Sequence, residues 1–392
     1  MSWSDIIGQK QQIRVLQKAI ETGRLAHAYL FTGPGACGKE QVALELARIM
    51  NCRDFSRNPD HGSCGACPGC VQVNTFMHQN VEYVFPVESS LLDTGESAKK
   101  ENRKFAEALE RYEALIEEKK LNPYFTPSME RSMGILSEQI VALQQKAVYM
   151  PAEGQKKTFI ISQAERMNPA AANKLLKLLE EPPGHVLFIL VSSRPESVLP
   201  TIRSRCQQIR FQRTSPQDLR LWLQQNRPDI AGQNLDFVVS FSRGNLALAW
   251  ELMNRSRESD AVPAVLLRNQ AIDYLRLTLT PSRFHEALAA CEAHAKNLSR
   301  TELVLFLGAT LLFFQDVNHR QIDPGFLALN NSDIVSSIDR FAGNFPAPDF
   351  LSISTVTEDA IRSIERNANP HLVLSAWTAE ILNLLRPRSL RA

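Results

Sequence analysis

At 392 residues the chain is long enough for two or three domains with ample cores. A formal net charge of +2 excludes a global field that would draw nucleic acid or membrane, so any such contact must come from a local patch. The start, Met1-Ser2-Trp3-Ser4-Asp5, lacks the basic and apolar regions of a signal peptide. The most apolar window, Leu303 to Phe314, is about twelve residues and broken by Gly308, short of the ~20 a bilayer span needs. A soluble, cytoplasmic protein with no membrane partner is expected.

Residues 1–50 read as helix, strand, loop, helix, with Ala28-Tyr29-Leu30-Phe31 as the strand and Gln41 to Ala47 in the second helix. Between them stands Gly33-Pro34-Gly35-Ala36-Cys37-Gly38-Lys39-Glu40, a phosphate-binding loop intact to its lysine. Backbone N–H groups of such a turn cradle phosphates, and the lysine neutralises the terminal ones. The next position normally carries a Ser or Thr hydroxyl for magnesium, and here it is Glu40. A carboxylate facing phosphates at ~4 Å, with an effective dielectric of ~20, costs about 4 kcal/mol. The candidate nucleotide-binding residues are therefore Gly33, Gly35, Gly38, Lys39 and Glu40, in a degenerate form. ATP or ADP binding through Lys39 and the loop amides stays open, as does the alternative of an ordinary glycine turn.

Four of the seven cysteines follow as Cys52, Cys64, Cys67 and Cys70, spaced C-x11-C-x2-C-x2-C. Four thiolates this close suit a tetrahedral zinc ion in a reducing compartment, and with every position filled by protein the metal would be structural. A ferredoxin-type cluster would want a further Cys where Asn74 stands. A redox pair would want its CxxC at a strand-to-helix turn rather than in Gly/Pro-rich loop. Free thiols are the remaining alternative.

His78 to Val87 reads as the next strand with its approach. From about residue 89 to 133 the composition shifts, and residues 96–120 are dense in Glu, Lys and Arg. Phe105, Leu109, Tyr112 and Ile116 recur at helical spacing, which predicts a solvated helical insertion packed by one face. Ile135 to Val148 predicts a helix, and Thr158 to Ile161 a strand. That strand runs into Ser162 and Gln163, where ATPases of this broad class carry a magnesium-binding Asp and a water-activating Glu. Asn168 and Pro169 open a helix that Pro182-Pro183 stops. Lys174 and Lys177 lie three apart on it, either tracking a nucleic-acid backbone or simply solvated. Val186 to Val191 is a continuous apolar run, as in a central parallel strand. Glu196 to Ser204 predicts a helix carrying Arg205 at its end, and Gln208 to Phe211 a last strand.

Alternating strands and helices up to residue 211 argue an α/β class with a parallel sheet. Beyond it the strand signals vanish. The expected domains are an α/β domain over 1–211, with the cysteine loop at 52–70 and the insertion at about 89–133, a helical lid over 212–257, and an all-α domain over 262–392. Arg255 to Asp260 is the expected hinge.

With these stretches assembled, the chain resembles the clamp-loader family of AAA+ proteins, in its δ′-like branch. The resemblance rests on Ile6-Ile7-Gly8-Gln9, on Leu25 to Gly35 and on the cysteine loop. It continues through Ala164 to Pro183, with its Leu-Leu-Glu-Glu-Pro-Pro ending, and Leu199 to Cys206. It covers residues 1–250 well, and the remainder only as a helical collar. It implies a ring with motor (γ/τ-like) and δ subunits that opens a sliding clamp and places it on primed DNA, with ATP held at subunit boundaries. In it, Arg205 of Ser204-Arg205-Cys206 would act in trans on the ATP of a neighbouring subunit, a contact worth ~10³–10⁵ in rate. The alternative role for Arg205 is binding helix-terminal carbonyls. The family's lid arginine corresponds to Ala247. Glu40, Ser162 with Gln163, and Ala247 together favour a non-hydrolysing accessory subunit. The alternatives are an active ATPase motor of the same family and an AAA+ protein outside replication.

Overall fold

A computed structural model describes residues 2–54, 62–92, 103–152, 155–226, 232–254, 263–346 and 348–385. The expected hinge at 255–260 and part of the insertion, 93–102, lie outside the described residues. The chain divides into two compact units: Met1–Leu219 with Gly244–Trp250, and Arg220–Arg243 with Glu251–Ala392.

The first unit runs α1 (Lys10–Glu21), β1 (Ala28–Thr32), α2 (Lys39–Ile49), α3 (Pro68–Asn74), β2 (Val81–Val84), α4 (Arg103–Leu121), α5 (Ser137–Ala147), β3 (Lys157–Ile161), α6 (Pro169–Glu180), β4 (Val186–Ser192), α7 (Pro200–Arg203) and β5 (Gln207–Arg210). The strands form one sheet in the order β2-β3-β4-β1-β5, every pairing parallel. Strand β4 is buried over its whole length, as its unbroken apolar run requires when helices cover both faces. Its side chains alternate: Leu187, Ile189 and Val191 join Leu16, Val42 and Leu46, while Phe188 and Leu190 join Leu143, Leu175 and Leu179 on the opposite face. The α/β class with a parallel sheet expected from the sequence is what the chain forms.

Three elements differ in extent from their expectations. The helix expected from Ile135 begins at Ser137, because Ile135 is drawn into a parallel bridge with Met167. The strand expected over His78 to Val87 is Val81–Val84, only four residues. The helix expected from Glu196 to Ser204 is broken into a 3₁₀ turn, Pro195–Ser197, and the four-residue α7. Val198 is extended and Leu199, with φ −51° and ψ 134°, stays out of the helical region, as the residue before a proline prefers to do.

Helix α8 (Pro216–Asn226) carries the chain from the first unit into the second, which also holds α9 (Gly232–Ser242); α10 (Leu246–Asn254) starts in the first unit. The second unit continues with α11 (Pro263–Leu279), α12 (Phe284–Asn297), α13 (Arg300–Ile322), α14 (Val335–Asn344), α15 (Phe350–Glu365) and α16 (Pro370–Leu385). Helix α13 is its core. It passes through Gly308 for 23 residues rather than stopping there. A side chain at Gly308 would come within 3.0 Å of the Phe241 ring, so the glycine admits a close-packed aromatic instead of breaking the helix. By length and composition α13 is apolar enough to cross a membrane, yet 67% of its apolar window is buried inside the protein, as in a core helix. Asp316 on this helix accepts hydrogen bonds from the backbone and side-chain nitrogens of Asn330 and Asn331. Buried Arg268 forks onto Asp333 at 2.7 and 2.6 Å.

Candidate nucleotide loop and metal centre

The glycine-rich loop leaves β1 and enters α2, as the sequence suggested. Gly33 has φ +144°, and a Cβ there would stand 2.4 Å from the carbonyl oxygen of Phe211, just beyond β5. Only glycine lets the chain pass that close. Lys39 is folded back: its Nζ donates to the carbonyls of Gly33, at 2.8 Å, and Pro34. Burial pushes this ammonium down, opposed by Cys37, Glu40 and Glu165. A cleft of about 300 Å³ opens over the loop, walled by Gly35, Lys39, Glu40, Tyr124, Glu165 and Arg194 among others. The backbone N–H of Leu246 donates to the carbonyl of Ala36 at 2.9 Å, which brings the start of α10, and with it Ala247, to the loop.

Glu40 does not face the cleft as an isolated charge, and the repulsion expected from it is removed. Its Oε2 accepts from Lys119 Nζ at 2.5 Å and from the Tyr83 hydroxyl at 2.8 Å. Its Oε1 accepts from Ser162 Oγ. Lys119 sits in the last turn of α4, inside the insertion, and also donates to the carbonyls of Pro123 at 2.8 Å and Phe125 at 2.5 Å. The side chains of Lys119 and Glu40 are 1% and 7% exposed, so this is a buried ion pair. Burial lowers the proton affinity of Lys119 while Glu40 raises it. Burial and the same carboxylate push the Tyr83 hydroxyl well up.

The insertion is thus bonded to the site rather than only solvated. Tyr112 stacks on Phe85 with ring centroids 5.4 Å apart, beside buried Ala108 and Met129. Leu109, expected in the stripe, is 38% exposed. Gln163 donates to the Pro127 carbonyl at 2.8 Å, and Arg166 reaches Ser132 Oγ at 3.0 Å. Sequence reasoning missed Lys119, although the rhythm 108, 112, 115 or 116, 119 carries it onto the packed face. It also missed Glu165. One oxygen of Glu165 accepts from Ser193 Oγ at 2.8 Å, while Oε2 is buried with no hydrogen-bond partner among the described residues.

These residues do not make a magnesium site of the usual kind. The position of the hydroxyl ligand carries a carboxylate already paired with an ammonium, and the strand-end Asp is replaced by Ser162, which donates to that same carboxylate. A divalent ion there would meet the Lys119 charge.

Cys52, Cys64, Cys67 and Cys70 bring their four sulfurs within 4.8 Å of one another. The Cys64–Cys70 and Cys52–Cys67 sulfur pairs lie at 3.9 and 4.0 Å. Tetrahedral zinc with bonds of about 2.3 Å needs sulfur edges of roughly 3.8 Å, so the donor set fits. The backbone N–H of Cys64 points to Cys52 Sγ at 3.4 Å and that of Cys67 to Cys64 Sγ at 3.3 Å. The loop is moored to α2 by buried Glu45, whose carboxylate accepts from Ser63 N at 2.7 Å, Ser63 Oγ at 3.0 Å and Arg48 Nε at 2.8 Å.

Arg205 follows α7. Its Nη1 donates to the Thr201 carbonyl at 3.0 Å and its Nη2 pairs with Glu180 at 2.7 Å. The two side chains are 36% and 50% exposed, so the pair is worth only about 0–1 kcal/mol. Lys174 is half-buried and Lys177 exposed on α6, whose first turn is capped by Asn168 accepting from Ala171 N at 2.7 Å.

A glycine-rich loop between the first strand and helix of a parallel sheet defines a P-loop α/β protein, with helices following. Residues 8–215 match the family model described as DNA polymerase III, delta subunit, and the chain belongs to that family. It is 26% identical over 339 residues to the DNA polymerase III subunit delta' of Bacillus subtilis, covering 86% of this chain and 80% of that protein. It is 29% identical over 222 residues to the subunit gamma/tau of Mycobacterium tuberculosis, covering 57% of this chain and 30% of that one. The chain thus spans about a third of the length of those gamma/tau relatives. Among solved structures, a gamma subunit-related protein from Thermotoga maritima aligns with a TM-score of 0.40 at 16% identity, over 96% of this chain and 100% of that one. Membership agrees with the clamp-loader resemblance carried by the sequence.

Proposed function

We propose that this chain is a non-hydrolysing, δ′-like subunit of a cytoplasmic clamp loader. It works with γ/τ-like motor and δ subunits to place a sliding clamp on primed DNA. The observation that carries this reading is the closed polar network Glu40–Lys119–Tyr83–Ser162 at the place where a hydrolysing site binds magnesium. Arg205 supplies a planar, permanently charged fork to the ATP of a neighbouring subunit, and its weak pair with Glu180 is easily exchanged for that stronger anion. The four-cysteine loop holds structural zinc. Residues 1–211 act as the α/β domain, 212–257 as a lid and 262–392 as the collar through which subunits associate.

Glu165 favours a second reading, an active motor, because it is a carboxylate in the cleft with one oxygen unpartnered among the described residues. ATP turnover by the purified chain separates the two. The accessory reading expects none above background; turnover near ~1 s⁻¹, abolished by Glu165→Gln, establishes the motor. Failure to co-purify with clamp-loader subunits would place the chain outside replication.

A further inference from the structure

Within the second unit, α11, α13 and α14 leave between them a cavity of about 210 Å³. Its floor is apolar, with Leu275 from α11, Phe313 from α13, Phe341 from α14 and Phe345 just beyond it. The Phe341 and Phe345 rings lie 4.6 Å apart, and Phe313 meets Phe341 edge-on at 5.3 Å. The mouth has the opposite character. Arg276, Ser337, Arg340 and Asn344 line it, and no Asp or Glu is among the described residues that do. Arg276 is already engaged, donating to Asp273 at 2.8 Å and to Ser337 Oγ at 2.9 Å. Asp339, next to Arg340 in the chain, is held by Arg320 at 2.8 Å. Arg340 itself is exposed and has no hydrogen-bond or ion-pair partner among the described residues. One unneutralised cation therefore stands over an aromatic floor. A second cavity, of about 400 Å³, shares Leu279 and Phe345 with the first and has no charged residue in its described wall.

These features select among occupants. Small-molecule sites run to ~300–1,000 Å³, so the first cavity has the size of a side chain rather than a metabolite. Nucleic acid binds through a row of phosphate contacts, and a lipid surface calls for about 4–8 clustered basic residues. A single uncommitted arginine serves neither. We propose that this face docks an acidic amphipathic segment of a partner protein. One bulky apolar side chain enters the aromatic cavity, a neighbouring carboxylate meets the planar fork of Arg340, and a second apolar side chain fills the adjoining cavity. The seated side chains hold the segment, and the charge at the rim selects an acidic partner over a basic one. The proposal goes beyond the accessory reading, since neither the phosphate loop nor Arg205 takes part in it.

The test is a fluorescence-anisotropy titration of the full-length chain into the labelled peptide Ser-Glu-Glu-Phe-Glu-Ser-Leu-Leu-Ser. Twin peptides carry Gln or Lys at every Glu, or Ala at Phe and both Leu. The acidic peptide should saturate below about 1 mM, the Gln twin should bind about fivefold more weakly, and the Ala twin should not bind. Arg340→Glu should reverse the order, so that the Lys twin becomes the tighter ligand. Asn344→Trp, which fills the mouth from an exposed position, should abolish binding. Equal binding of the acidic and Gln peptides, an order unchanged by Arg340→Glu, or no saturation by the acidic peptide would overturn the proposal. Binding that survives Asn344→Trp would place the peptide elsewhere and overturn it as well. If Asn344→Trp does not fold, the charge reversal at Arg340 decides alone. ATP turnover is not read in these titrations, so their failure leaves the accessory reading standing.

Discussion

Lys119 and Glu40 are each nearly inaccessible to solvent and form a direct ion pair. Removing one member of a buried pair strands the other charge, typically at a cost of about 3–5 kcal/mol. Lys119→Met should therefore lower the free energy of unfolding measured in urea by that amount, whereas Glu40→Leu/Lys119→Met should recover most of it. Equal losses in the single and double variants would show that packing, not charge, holds the site together. Arg205 is the opposite case, a half-exposed cation whose pair with Glu180 contributes little to stability. Glu180→Gln should leave the free energy of unfolding, measured by denaturant titration, within about 0.5 kcal/mol; a larger loss would mark the pair as structural.

The elements differ in how legible they were. Strand β4 announced itself by an unbroken apolar run, and the phosphate loop by its glycines and lysine, because in both the deciding contacts lie within a few residues. The interruption before α7 could be read from Pro200, which disfavours helix at Leu199, but the propensity of the surrounding residues pointed the other way. The partner of Glu40 was illegible in a different sense. It lies 79 positions away, on a helix expected as a solvated insertion packed by one face. Sequence periodicity could put Lys119 on the packed face, but not say what it would meet there. The cysteine loop is the clearest element-scale prediction. Metal analysis of protein purified without added zinc should find close to one zinc per chain, lost with Cys67→Ser, and chelation should lower the thermal midpoint. An iron–sulfur absorption band, or no metal in folded protein, would reject the assignment. Because the loop is tied to α2 through Glu45 and Ser63, loss of metal should loosen the turn rather than unfold the sheet.

For the whole molecule, family membership and the closed network beside the loop meet in one expectation: ATP chemistry happens on a neighbour, and this chain contributes position and charge. The second unit, organised around α13, offers the helical mass through which such a chain could join others, and the sequence forecast it as an all-α domain over 262–392 without its individual helices. The central claim is tested most directly by reconstituting the ring with its motor and δ subunits and measuring DNA-dependent ATPase with Arg205 or with Arg205→Ala. The variant chain should fold and assemble, and the ATPase of the ring should fall by at least tenfold, although the altered subunit hydrolyses nothing itself. An unchanged rate in a fully assembled ring would contradict the account and leave Arg205 as the partner of Glu180 and the end of α7.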